Sequence, residues 1–73
     1  MHCPILIIDD NVQLSKSLAQ NFNQLGYKSY LAKNSKEAID TFSNNAIGAV
    51  LLDIRLGEDD GIKTLIRLLE IRN

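Results

Sequence analysis

The 73-residue chain has one cysteine, Cys3, so no internal disulfide can hold it together. A lone thiol fits a reducing cytosol. Its expected role is a small apolar or terminal residue, since His2 and Cys3 are adjacent and make no metal site of their own. An excess of one charge is also missing: eight basic and nine acidic residues are mixed along the chain, for a formal net charge of −1. There is no basic block to track a phosphate backbone, which argues against a nucleic-acid partner. No apolar run reaches the ~20 residues that a bilayer requires. Met1-His2-Cys3-Pro4 lacks the basic start of a secretory signal. Repeats, linkers and low-complexity segments are absent too. The expectation is one cytoplasmic domain over residues 1–73, with no membrane partner. Below roughly 70–80 residues a single core seldom supplies more than ~3–5 kcal/mol.

What is present is alternation. Pro4 can begin a strand but not sit inside one, so residues 5–8 (Ile-Leu-Ile-Ile) are expected to form the first strand. Being apolar on both faces, it belongs in the middle of a parallel sheet. Leu14, Leu18, Phe22 and Leu25 then recur at helical spacing, opposite Gln13, Lys16, Gln20 and Asn23. Asp10 or Asn11 can cap that helix, and Gly26 suits the left-handed position past its end. Residues 27–32 read as a second, more exposed strand. Asn34-Ser35-Lys36-Glu37 resembles a capping box, and Ala38, Ile39, Phe42 and Ala46 form the apolar stripe of the helix it opens. Asn44, Asn45 and Gly48 break that helix. Residues 49–52 (Ala-Val-Leu-Leu) form a third strand, and residues 55–61 a polar turn with two glycines. A third helix begins at Ile62, with Leu65, Ile66 and Leu69 at helical spacing.

The order βαβαβα implies a doubly wound α/β sheet with right-handed crossovers. Both buried strands end in acid: Asp9-Asp10 follows the first and Asp53 the third. If those strands are parallel neighbours, three carboxylates meet at their carboxyl ends, where open α/β sheets place their sites. Like charges so close repel, and a hard divalent cation relieves the repulsion.

These residues carry a resemblance. Residues 5–11 (Ile-Leu-Ile-Ile-Asp-Asp-Asn), Gly26-Tyr27, residues 50–56 (Val-Leu-Leu-Asp-Ile-Arg-Leu) and Asp60-Gly61 follow one another as in a response-regulator receiver domain of two-component phosphorelay signalling. The resemblance implies a flavodoxin-like fold, here its (βα)3 half with sheet order 2-1-3. It implies that Asp53 is the phosphoacceptor. Asp10 binds Mg2+ (or Mn2+) directly, Asp9 acts through water, and the backbone carbonyl of Arg55 is a further ligand. A sensor histidine kinase is the implied partner, and the chain is a signalling module rather than an enzyme.

Departures from the pattern are equally legible. The family has five strands and five helices, and these 73 residues have room for three of each. The switch hydroxyl of the fourth strand, the lysine of the fifth, and the face that reports phosphorylation have no counterpart here. Gly57 stands where the family usually has proline. Plainer readings remain open. Asp9 and Asp10 can serve only as helix caps, and Asp59 and Asp60 can cap the third helix. Asp53 can be an inherited strand-end residue that is not phosphorylated. Tyr27 and Tyr30 suit strand packing, and Lys63, Arg67 and Arg72 a solvated helix face. The expectation is therefore a truncated receiver that keeps the acidic pocket but does not switch normally. The alternatives are a non-enzymatic interaction module or a fragment of a longer regulator. In the 2-1-3 order the third strand is an unprotected edge. A homodimer is expected there, with third strands paired antiparallel or last helices exchanged, and with Leu65, Leu68 or Leu69 exposed.

Overall fold

Four consecutive β-branched or branched apolar residues leave no face of the first strand that tolerates water. β1 (Ile5–Ile8) is accordingly buried along its whole length, between two parallel neighbours. The structure, a computed structural model, describes residues 3–53, 55–56 and 59–72. His2, Ile54, Gly57 and Asn73, which entered the sequence reading, lie outside the described residues. The chain order is β1, α1 (Val12–Gln24), β2 (Ser29–Ala32), α2 (Ser35–Asn44), β3 (Ala49–Leu52), β4 (Arg55–Leu56), β5 (Asp59–Asp60) and α3 (Gly61–Arg72). The main sheet has the expected order β2-β1-β3, in parallel register, with Ile5 opposite Ser29 on one side and Ala49 on the other. No helix among the described residues is long and apolar enough to cross a membrane.

The two faces of the sheet are covered unequally. Leu6, Ile8 and Ala32 form one cluster with Ala38 and Phe42 of α2, Ile47, and Leu68 of α3, and half-buried Tyr30, Ile39, Val50 and Leu52 pack against it. Among the described residues the opposite face has α1 alone, and Leu31 and Leu51 stay exposed there. On α1, Leu18 and Phe22 are half-buried, whereas Leu14 and Leu25 are exposed. The residue that α1 buries is Ser15, whose hydroxyl donates to the Asn11 carbonyl at 3.1 Å.

Caps follow the sequence closely. Asn11, not Asp10, caps α1: its Oδ1 accepts from the Leu14 N–H at 3.1 Å. Gly26, with φ 95°, takes the turn beyond α1 that a side chain would strain. Asn34 caps α2 by accepting from Glu37 N–H at 2.9 Å, while Glu37 reaches back to the Lys33 N–H at 3.0 Å. The reciprocal bond thus lands one residue earlier than in the usual capping box.

Several expectations need correction. Ala46 lies beyond α2 and is exposed; Ile47 takes the buried place. The second strand starts at Ser29 rather than at residue 27. The turn at 55–61 contains a short antiparallel hairpin, with Arg55 opposite Asp60 and Leu56 opposite Asp59. Asp59 and Asp60 form β5, with Asp60 directly before α3, which starts at Gly61 rather than Ile62. Leu68 is buried, although Leu65 and Leu69 are exposed as expected. On α3 the inward residues are Gly61, Thr64 and Leu68. The Thr64 hydroxyl donates to Ser35 Oγ at 2.9 Å, tying α3 to the first turn of α2.

Gly48 shows how closely the chain is packed before β3. Its N–H donates to the Pro4 carbonyl at 2.8 Å, and a Cβ added there would collide with the Cβ of Cys3. Gly48→Ala is expected to cost ~1–3 kcal/mol by overpacking, read as a lower urea midpoint. Cys3→Gly in the same chain should restore most of the loss, and an additive double variant would refute the collision.

Candidate functional site

A parallel sheet aims the carboxyl ends of its strands in one direction, so the register of β1 and β3 decides where their acids meet. Ile8 lies opposite Leu52, and the Asp53 N–H donates to the Ile8 carbonyl at 2.9 Å. On the other side, Asp9 N–H donates to the Ala32 carbonyl at 3.0 Å. The backbone at both strand ends is therefore fixed by ladder bonds, and the acids follow immediately. Asp9, Asp10 and Asp53 each bring a carboxylate oxygen within 4.8 Å of the others. Asp9 and Asp53 are half-buried and Asp10 is exposed.

Asn11 was not singled out as a site residue, yet it organises one wall. Its N–H donates to Asp9 Oδ1 at 2.9 Å while its side chain caps α1. One oxygen of Asp9 is thus held against the backbone. The signal in the sequence was the Asp-Asp-Asn order itself, in which an aspartate accepts from the backbone two residues on. The cleft above the carboxylates is about 380 Å³ and is lined by Asp9, Asp10, Asn11, Leu14 and Asp53. No cationic side chain lines it among the described residues. Arg55, the other expected ligand, sits in β4 two residues beyond Asp53.

At ~4.8 Å, two unit charges repel by roughly 1 kcal/mol in water and ~3–4 kcal/mol at an effective dielectric of about 20. The cluster favours a hard cation. Magnesium–oxygen bonds of ~2.0–2.1 Å put opposite ligands at most ~4.2 Å apart. Carboxylate oxygens within 4.8 Å of one another are close enough for direct or water-mediated contact with one such ion.

The response regulator receiver domain family matches residues 5–73, all but the first four residues. The chain belongs to the response-regulator receiver family. It is 34% identical over 71 residues to the two-component response regulator PprB of Pseudomonas aeruginosa, covering 96% of this chain and 26% of that protein. It is 35% identical over 68 residues to the sporulation initiation phosphotransferase F of Bacillus subtilis, covering 93% and 55%. A solved response regulator from Burkholderia pseudomallei, described with a phosphorylated aspartic acid, calcium ion and citrate, superposes with a TM-score of 0.92 at 27% identity. That match spans 96% of this chain and 41% of the other. The HemR receiver domain from Leptospira biflexa gives a TM-score of 0.87 at 28% identity, over 94% and 56%. The chain thus spans between about a quarter and just over half of these relatives. The receiver fold and its 2-1-3 sheet are those the sequence implied.

Proposed function

We propose that this receiver accepts a phosphoryl group on Asp53 within a magnesium-dependent acidic pocket, slowly for want of a cationic side chain in the described lining, and that it self-associates at its third-strand edge. The observation that carries the first part is the meeting of three carboxylate oxygens within 4.8 Å at the ends of β1 and β3. Family membership supports it, as does the phosphorylated aspartate in the Burkholderia pseudomallei relative.

Asp10 and Asp53 would hold magnesium or manganese directly, with the Arg55 carbonyl as a further ligand and Asp9 acting through water. The ion supplies charge neutralisation on the transferring phosphoryl oxygens. Asp53 is the nucleophile: one carboxylate oxygen forms the new bond to phosphorus as the bond to the donor's leaving atom breaks. The leaving group departs with that electron pair, and the product is an acyl phosphate. Ladder bonds at Asp53 N–H and Asp9 N–H keep the acids in register, and Asn11 orients Asp9. A sensor histidine kinase is the expected phosphoryl source, and the working compartment is the cytoplasm.

Manganese titration followed by water-proton relaxation tests the pocket. Weak saturable enhancement is expected, and Asp10→Asn with Asp53→Asn should abolish it. An unchanged titration in the double variant would overturn the assignment.

Self-association rests on a different observation. Among the described residues β3 is one of the two outer strands of the sheet, and residues 46–52 contain no charge to protect it. Ala49 and Leu51 are exposed, and Leu51 lines an apolar groove of about 460 Å³ with Ile7, Leu14 and Leu18.

A further inference from the structure

Three strands end at one level. Ala32 lies opposite Ile8, and Ile8 opposite Leu52, without a slip. The residues that follow, Lys33, Asp9 and Asp53, therefore stand abreast at the carboxyl edge of the sheet. Ladder bonds continue past the strand ends, from Asp9 N–H to the Ala32 carbonyl and from Asp53 N–H to the Ile8 carbonyl. The Lys33 backbone is tied down as well, since its N–H donates to Glu37 Oε1 at 3.0 Å. Side chains alternate along a strand. Ala32, Ile8 and Leu52 turn to the cluster beneath α2 and α3, so the residues after them turn to the α1 side.

A second cavity, of about 250 Å³, opens on that side. Asp9, Lys33 and Glu37 line it together with Val12 and Ser15 of α1. Asp9 is thus a shared wall. It borders Asp10 and Asp53 in the acidic cleft, and it borders Lys33 in this cavity.

We infer that Lys33 tunes the acidic cluster from behind, lowering its affinity for a divalent cation by acting through Asp9. This rests on the metal reading of the pocket above and assigns a residue that controls it. Neighbouring strands lie ~4.8 Å apart, which puts the Lys33 backbone about 5 Å from that of Asp9 and about 10 Å from that of Asp53. The ammonium rides on a flexible four-carbon stem and is exposed. It lies outside the lining of the acidic cleft, so it does not replace a cation there. Its charge relieves the mutual repulsion of the carboxylates before an ion arrives and opposes the ion that comes. One positive charge ~10 Å from a divalent ion should weaken binding about threefold at 0.01 M salt. At 0.15 M, where the screening length is ~8 Å, the effect should fall within about twofold.

Manganese binding, followed by water-proton relaxation at both salt concentrations, tests this, with circular dichroism confirming the fold of each variant. At 0.01 M salt Lys33→Gln should tighten binding about threefold and Lys33→Glu about tenfold. Lys33→Arg keeps the charge and should leave the affinity as it was. Lys28 begins the other end of the same segment, where its carbonyl accepts from Ile5 N–H. It stands five residues, about 16 Å, from Lys33. Lys28→Gln removes the same net charge and should have less than half the effect. Saturable binding that Lys33→Gln and Lys33→Glu leave unchanged or weaken overturns the role of Lys33 and leaves the pocket standing. So does a Lys28→Gln effect as large as that of Lys33→Gln. No saturable binding by the unaltered chain overturns the pocket and the role of Lys33 together.

Discussion

Acetyl phosphate is expected to label Asp53 of this 73-residue chain roughly 10²–10³ more slowly than it labels a receiver with a lysine in the same cleft, the usual cost of losing one preorganised charge-stabilising group. Phosphoryl transfer depends on positioning and on neutralising charge as it spreads over the equatorial oxygens. Here the positioning half is built, because ladder bonds fix Asp9 and Asp53, and Asn11 orients Asp9. The neutralising half is reduced to the metal, because the described lining of the cleft is Asp9, Asp10, Asn11, Leu14 and Asp53, with no cationic side chain. Mass spectrometry of the chain after timed incubation with acetyl phosphate and magnesium gives the rate. Asp53→Asn should remove the slow signal entirely. Rapid stoichiometric labelling would show that another group supplies the missing charge.

The acidic pocket was legible in the sequence because two independent rules converge on it. Four apolar residues followed at once by aspartate mark a buried strand and what stands at its carboxyl end. The βαβ order then makes the two strands parallel, and residues 5–8 and 49–52 pair without a register slip. Helix caps were legible because Asn11, Asn34 and Gly26 each supply a local chemistry that few other residues can. The 55–61 segment was not legible as a hairpin, since two-residue strands have no periodicity to read. Ile47 was missed because it sits outside any repeat, in the connection between α2 and β3. In the third helix the strongest apolar row is not the row that packs: Leu65 and Leu69 are exposed as expected, and Leu68 is buried. Hydrophobic periodicity reports that a face wants cover, and it does not say whether the cover lies within the chain.

Leu68 and Leu69 separate those possibilities in one experiment. They are adjacent and chemically identical, yet Leu68 is 2% exposed and Leu69 60%. Leu68 reaches the cluster of Leu6, Ile8, Ala38 and Phe42 because the residues beside it on the inward face are Gly61 and Thr64. Small side chains let α3 approach α2 closely enough for Thr64 to bond Ser35 at 2.9 Å. Leu68→Ala is expected to cost ~2–5 kcal/mol in lost transfer energy and cavity. A core in a chain this short supplies only ~3–5 kcal/mol, so the variant should be largely unfolded at 25 °C. Leu69→Ala should change the stability of the monomer by no more than ~0.5 kcal/mol, as surface substitutions do. Urea unfolding followed by circular dichroism at low micromolar concentration keeps association out of the comparison. If Leu69→Ala proved the costlier of the two, α3 would be turned by about a third of a revolution from this packing, and the inward place of Leu68 would be wrong.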